Sequence, residues 1–411
     1  MTPSIDAILF RLSTLLVALL SICLLTTTAG TNICVFLLLL LTPWAWKNHQ
    51  WSEHEYEFIK PLFAFIILFC LYDLVRNIIA GYSFSDSFNA TRHVRKFFFI
   101  ILLWPIFAIP KISRSCLISL GASVLTLSIA NLIWTLYLNH DEYMLYSMPN
   151  MHGQIIVGMI LLTLHAIFYK RMNLFFLTLT VSILFCSLFY ASTRRTGYII
   201  LFCGFIFLCF LIFYDNKELK YRRELIFLGL LILFTIIFFV SFSSKFQVRM
   251  TAMINEYYQF INLNAEDRSQ IATSTGLRLQ YFLSSLMIIR ENLFFGVGSL
   301  EFKSLFWEVN KKLGALNPVN YAPNPHNEYL YILATKGLIG LGLYLGIFYQ
   351  GCRVAMSRND LLQKHGFWIF VFLFLFSILF NSMSIDMIEG HFMMLVFLCF
   401  LAPKSVWYTS E

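Results

Sequence analysis

The sequence predicts an all-α polytopic membrane protein. Of its 411 residues, 59% are hydrophobic and only 13% are charged, and the mean hydropathy is +0.72. Soluble domains carry about 25% charged residues. The apolar residues form runs such as Ile226–Phe242, each long enough to cross a hydrocarbon core of about 30 Å as a helix. Because the runs are continuous and do not alternate with polar residues, they indicate helices and not barrel strands.

Polar breaks divide the apolar runs into about twelve predicted spans. The first nine spans lie within residues 1–242, and the last three lie within residues 326–411, which end in a short tail. Residues 243–325 separate the two groups and predict one large extramembrane loop domain that contains helices. The spans are predicted at 7–24, 31–46, 61–80, 97–110, 116–138, 155–169, 174–191, 198–214, 225–242, 327–350, 367–382 and 389–403.

The distribution of positive charge predicts the orientation of these spans, because cytoplasmic loops are enriched in Lys and Arg. If the N-terminus is cytoplasmic, fourteen cations fall in cytoplasmic segments, whereas three of the short outer loops hold none. Both termini are therefore predicted to be cytoplasmic, and residues 243–325 are predicted to be outside. The fourteen cations are Lys47, Lys60, Lys111, Arg114, Lys170, Arg171, Lys217, Lys220, Arg222, Arg223, Arg353, Arg358, Lys364 and Lys404.

A few outer cations oppose this rule. Arg194 and Arg195 stand together in "FYASTRRTGYII", between two apolar runs. A second group, in "NATRHVRKFFF", comprises Arg92, Arg95 and Lys96. Both groups are candidate contacts to phosphate, and anchoring to lipid headgroups is the alternative. Nearby, Asp73 and Arg76 are three residues apart on one predicted helix, so we expect them to form an ion pair.

The outer segment contains a further arginine in an unusual place. Apolar residues at helical spacing predict a helix over Leu277–Asn292, which the Gly-rich sequence "GVGS" then ends. Arg278 falls in the predicted first turn, where the helix dipole disfavours a cation. This position indicates an anionic partner for Arg278, or else a solvated surface arginine.

One histidine stands at the start of the tenth predicted span, in "YAPNPHNEYLYILATKGLIG". Asn324 and Pro325 match an N-cap and a first helical residue, which would place His326 in the first turn. The positive end of a helix favours neutral imidazole, the form that a general base requires. His326 is therefore the candidate base, and an interfacial histidine bonded to the backbone is the alternative.

Arginines and a base on one membrane face suit an anionic, lipid-linked substrate such as a polyprenyl-diphosphate sugar. Breaking its anomeric bond leaves charge on the diphosphate, which arginine can stabilise by donating two hydrogen bonds to phosphate oxygens. The first outer loop, "TTTAGTN", contains no carboxylate, and the chain contains no DxD motif. The sequence therefore predicts a metal-independent reaction without a cofactor.

Four sequence features in order resemble the bacterial O-antigen ligase family and its wider polymerase/ligase superfamily. They are an arginine after "ST" at a span edge, "GLR" opening a helix, "NLFFGVG", and "PHNEYL" followed by "GLIG" at a late span. The resemblance implies a GT-C-type fold and inverting transfer of O-antigen polysaccharide from undecaprenyl diphosphate to a sugar of lipid A–core. It also places the reaction on the periplasmic face of the inner membrane, with membrane lipids and these two lipid-linked sugars as partners and no nucleic acid.

Carried over by position, the resemblance assigns catalytic roles to His326, Arg194 and Arg278. His326 would deprotonate the acceptor hydroxyl, and the two arginines would bind the diphosphate and stabilise it as it leaves. Arg195 departs from the family pattern, which usually has a small or polar residue there. Successive helical residues point about 100° apart, so we do not expect Arg194 and Arg195 to face one phosphate.

The same residues leave other functions open. An O-antigen polymerase and a protein O-oligosaccharyltransferase of the superfamily share the arginine–histidine chemistry. From a different class, a secondary transporter is disfavoured because the sequence shows no internal repeat and no pair of broken mid-span helices.

Overall fold

The computed structural model describes residues 4–138, 149–168, 174–188, 195–215, 244–262, 274–313, 324–382 and 387–403. Within these ranges the regular structure is helical and no strand is present. The α-helices are α1 (Ile5–Thr26), α2 (Thr28–Asn48), α3 (Glu53–Ile79), α4 (Phe84–Ala90), α5 (Arg95–Phe107), α6 (Pro110–Leu138), α7 (Pro149–Phe168), α8 (Leu174–Cys186), α9 (Arg195–Asp215), α10 (Ser244–Asn262), α11 (Ser274–Glu291), α12 (Glu301–Lys312), α13 (Glu328–Met356), α14 (Leu361–Ser377) and α15 (Met387–Phe400).

The prediction of a helical, multi-pass membrane protein is confirmed. Among the described residues, six helices are long and apolar enough to cross a membrane, namely those at Ile5–Thr26, Thr28–Asn48, Glu55–Ile79, Pro110–Tyr137, Gly197–Tyr214 and Glu328–Met356. Eleven of the twelve predicted spans overlap a described helix, and the ninth, 225–242, lies outside the described residues. The number of spans stays a prediction.

Helices α3 and α13 form the centre of the bundle, and α13 also packs against α11 and α14. Aromatic side chains fill this centre. The ring of the fully buried Tyr344 lies 5.7 Å from that of Phe69, 5.9 Å from that of Phe97 and 5.2 Å from that of Phe348, measured between centroids. Such tilted and edge-to-face contacts are favourable for aromatic pairs.

Helix α13 is broken at Gly337, whose φ of 64° and ψ of −166° lie outside the helical region. The Tyr344 hydroxyl donates to Glu328 Oε1 at 2.8 Å, although the two residues are 16 apart in the chain. A straight helix would separate their Cα atoms by about 24 Å. The chain therefore turns back sharply at Gly337, and the two arms of α13 lie beside each other.

The connection between α11 and α12 pairs with this break through its backbone. Val297 N donates to Ala334 O at 2.9 Å, and Gly298 N donates to Thr335 O at 2.8 Å. In return, Leu338 N donates to Leu293 O at 2.9 Å, and Ile339 N donates to Phe294 O at 3.3 Å. An unbroken helix would bond residues 338 and 339 to residues 334 and 335, so the connection replaces the bonds that the break removes.

Polar side chains of α3 hold the same connection. Arg76 donates from Nη2 and Nε to Gly296 O at 2.6 and 2.9 Å. Asp73, which is 1% exposed, forms an ion pair of 2.8 Å with Lys336 Nζ and accepts a hydrogen bond from Ser299 Oγ at 2.7 Å. The predicted Asp73–Arg76 ion pair is therefore wrong. Partners from α13 and the connection satisfy both side chains better than i,i+3 neighbours on one helix could.

We predict that replacing Gly337 or Gly296 with alanine destabilises the protein. Both glycines have positive φ, and an added Cβ would overlap the backbone of Phe294 at Gly337 and that of Lys336 at Gly296. The strained backbone alone costs about 1–3 kcal/mol. Thermal unfolding in detergent would measure the loss. Gly342→Ala is the control, because its Cβ meets no atom within 4 Å. Equal stability of all three variants would contradict the described pairing.

We also predict that Lys336→Met destabilises the protein by roughly 3–5 kcal/mol, because it leaves the Asp73 carboxylate buried without its cation. The double variant Asp73→Leu/Lys336→Met should recover part of this loss, since it removes both charges. Lys303→Met, at an exposed position on α12, should change the unfolding temperature little. The prediction fails if the double variant is less stable than Lys336→Met.

Candidate functional site

His326 lies just outside α13 in an unusual backbone conformation. Its φ is 52°, and within the described ranges His326 is the only non-glycine residue with a positive φ. The side chain of Asn324 accepts a hydrogen bond from His326 N at 2.9 Å, which stabilises the turn. Non-glycine residues held in such conformations are frequent at functional sites.

The predicted helix start, with Asn324 as the N-cap, Pro325 as the first helical residue and His326 in the first turn, is wrong. Asn327 is the N-cap, because its Oδ1 accepts from Leu330 N at 3.1 Å, and the helix begins at Glu328. Asn324 uses its side chain for the turn instead and does not cap the helix. His326 therefore precedes the first turn by two residues, so that α13 leaves it free to adopt the positive φ.

The imidazole of His326 lies between two other elements. Its Nδ1 is 3.5 Å from Oδ1 of Asn381, which follows α14. Its ring lies 6.3 Å from the ring of Tyr281 of α11, with 25° between the two planes. These contacts leave the imidazole half-buried. The segment before α13, helix α11 and the end of α14 thus meet at this histidine.

Arg278 reaches the same place from α11. The helix begins at Ser274, so Arg278 lies in its second turn and not in the first, as predicted. It precedes Tyr281 by three residues, and residues at that spacing share one face of a helix. Burial lowers the pKa of His326 below its ordinary value of 6.5, and the positive charge of Arg278 lowers this pKa further. The structure therefore places His326 within the influence of the Arg278 charge, and both effects favour the neutral imidazole.

The remaining predicted site residues are only partly described. Arg194 lies outside the described residues. Arg195 is the first residue of α9, and its side chain is not described. Arg92 is exposed. Arg95 donates to Phe88 O at 2.9 Å and lies over the Phe88 ring, whereas Lys96 is only 5% exposed. Their roles in substrate binding stay predictions.

Sequence analysis missed Asn381 and Tyr281. Asn381 is 55 residues from His326 in the chain, and no local pattern connects the two positions. Tyr281 had a weak signal, since it shares a helix face with Arg278. Ser382, which donates to Asn324 Oδ1, supports the turn from the same side as Asn381.

Together, these observations define a multi-pass helical membrane protein. Its site comprises a neutral histidine, His326, just before α13, and a positively charged arginine, Arg278, near the start of α11. Residues 179–345 match the family model described as O-Antigen ligase. The match includes Arg194, Arg195, Arg278, His326 and the break at Gly337. It confirms the resemblance of the motifs, assigns this region to the O-antigen ligase family and indicates a glycosyltransferase-like ligase activity. No curated protein sequence matches the chain.

We predict that Arg278→Gln raises the pKa of His326, because it removes a positive charge that disfavours the imidazolium. Hydrogen–deuterium exchange of the histidine C2 position, followed by mass spectrometry across pH, reports this pKa for the full-length protein. Arg290→Gln, an exposed position on the same helix, should leave it unchanged. Equal His326 pKa values in Arg278→Gln and the unmodified protein would show that the arginine does not act on this histidine.

Proposed function

We propose that the protein is an O-antigen ligase, which transfers O-antigen polysaccharide from undecaprenyl diphosphate to a sugar of lipid A–core. The observation that carries this proposal is the position of His326 within the matched region, where the positive charge of Arg278 lowers its pKa and Asn381 lies beside its Nδ1. A neutral base beside a permanent cation suits an acceptor hydroxyl and a diphosphate leaving group, respectively.

In the proposed reaction, the acceptor hydroxyl loses its proton to His326 while its oxygen bonds to the anomeric carbon. The bond from that carbon to the diphosphate oxygen breaks from the opposite side, and the diphosphate leaves with the electron pair, which inverts the anomeric centre. Asn381 Oδ1 beside Nδ1 favours the tautomer with the proton on Nδ1, so Nε2 is the accepting atom. Arg278 and Arg194 bind the diphosphate without a metal ion or cofactor.

The proposal includes twelve spans in a GT-C-type fold, an inner-membrane location, cytoplasmic termini and a periplasmic site. The second arm of α13 supports this arrangement. It begins at the break, where residues 293–298 of the predicted outer segment pair with it, and it ends near Arg353 and Arg358. Arg358 donates to Leu401 O, which brings the ends of α13 and α15 together on the side that is rich in cations. Burial lowers the pKa of Arg358 to about 10, so this residue keeps its charge at pH 7.

We predict that His326→Ala lowers the transfer rate by about 10²–10⁴-fold, the usual contribution of a general base. Arg278→Lys should retain part of the activity, because lysine keeps the charge but loses the two-donor geometry, and Arg278→Ala should retain less. Transfer from undecaprenyl-diphosphate-linked O-antigen to lipid A–core by the purified protein would measure both. Lys303→Ala is the control, since Lys303 is exposed on α12.

Full transfer by a correctly folded His326→Ala variant would refute the role of the base. Strict dependence on a divalent ion, tested with EDTA, would count against the arginine mechanism while leaving the transfer reaction itself intact.

The lipopolysaccharide of a deletion strain distinguishes the ligase from the other members of the superfamily. Loss of all O-antigen, with lipid-linked chains accumulating, is the result expected for a ligase. Lipopolysaccharide with a single repeat unit would instead identify a polymerase, and an unchanged profile would overturn both.

A further inference from the structure

The connection between α11 and α12 exposes a group of large apolar side chains. Leu293 is 41% exposed, Phe294 62% and Phe295 61%. We call these three residues the apolar tip. By sequence they belong to the predicted outer segment, 243–325. In a segment surrounded by water, large apolar side chains are usually buried. Three adjacent exposed apolar residues instead indicate contact with a nonpolar partner.

Hydrogen bonds fix the level of the apolar tip along α3, a candidate membrane span. The Tyr72 hydroxyl donates to Phe295 O at 3.1 Å, and Arg76 Nε donates to the same oxygen at 3.3 Å. Tyr72 precedes the end of α3 at Ile79 by seven residues, or about 10 Å along the helix axis. The tip therefore lies one to two helical turns before the end of the span.

The surface of α3 at this level is itself apolar and exposed. Val75 is 47% exposed and Ile79 70%, and exposed apolar residues continue down the same helix to Leu68, at 51%. In a helix that crosses a membrane, such side chains face lipid. The exposed surface of α3 therefore stays lipid-facing past the level where the apolar tip is held.

The segment that pairs with the tip extends the same surface. Leu338 and Ile339, whose N–H groups bond to Leu293 and Phe294, are 42% and 41% exposed. On α11, Leu286 and Met287 are also exposed, and the exposed charged residues Arg290 and Glu291 lie between them and the tip. The apolar tip is thus continuous with apolar surface at the start of the second arm of α13.

The chain changes character immediately after the tip. At Glu301, whose carboxylate accepts from the Tyr82 hydroxyl at 2.7 Å, it has passed beyond the end of α3. Helix α12 then buries Phe302 and Phe306 and exposes polar side chains, among them Lys303 and Glu308. This is the pattern of a helix in water. The exposed side chains thus change from apolar to polar within eight residues, between Phe295 and Lys303.

We infer that the apolar tip is inserted among the lipid acyl chains, in the leaflet on the side of the membrane that carries the His326 site. The α11–α12 pair is then a re-entrant element, which enters the hydrocarbon at residues 293–295 and leaves it again. Its irregular backbone is tolerated at that depth because the broken arm of α13 and the side chains of α3 satisfy its N–H and C=O groups.

The inference is tested by placing an environment-sensitive fluorescent amino acid at Phe295 in the full-length protein, reconstituted in lipid nanodiscs. Lipids brominated on their acyl chains should quench most of this fluorescence, as they should for the same probe at Leu68. At Lys303 the brominated lipids should quench little, and aqueous iodide should quench strongly. All three positions are exposed, so the probe does not disturb the packing, and elution as a single folded species confirms this for each variant.

Quenching of the Phe295 probe by iodide but not by brominated lipids would overturn the inference and place the tip in water. Protection from both quenchers would also overturn it, because a second copy of the chain would then cover the tip. Neither result depends on the proposed reaction, since no substrate is present.

Discussion

The reversal of α13 at Gly337 is the constraint on which the rest of the site depends. It removes the intrahelical hydrogen bonds between residues 334–335 and 338–339, in a part of the protein where the backbone is shielded from water. Unpaired backbone groups in such surroundings cost several kcal/mol. Residues 293–298 supply two donors and two acceptors in this arrangement. The break and the connection therefore require each other.

This requirement determines where the site residues lie. Fixing residues 293–298 fixes the end of α11, and α11 carries Tyr281 and Arg278 to His326. The reversal simultaneously folds the first arm of α13 back toward α14, where Glu328 N donates to Ile378 O at 2.9 Å. That contact places His326 beside Asn381. Two residues distant in sequence thus meet because one glycine permits a conformation closed to other residues.

The sequence predicted what depends on composition and periodicity, and it failed where tertiary partners compete with local ones. Continuous apolar runs were sufficient to predict a helical membrane protein, and the ordered motifs were sufficient for the family. The prediction that Asp73 pairs with Arg76 was wrong because spacing on one helix contains no information about Lys336, which another helix supplies.

The predicted position of His326 in the first turn of the helix was wrong because two asparagines could cap α13. Only the contacts of the folded chain decide between them. The reversal itself had a signal, in the paired glycines of "FFGVG" and "KGLIG", but nothing in the pattern showed that the two motifs bond to each other.

The charge of Arg278 serves both halves of the proposed reaction. In the protein without substrate, Arg278 lowers the pKa of His326, so the imidazole is neutral and able to accept a proton. A diphosphate bound to Arg278 adds negative charge beside the histidine, which opposes the effect of the arginine and raises the pKa of the imidazole. The base then gains strength when the donor is in place, because the imidazolium it forms is stabilised by the departing diphosphate. In the proposed reaction, one arginine holds the leaving group and also makes the strength of the base depend on the presence of the donor.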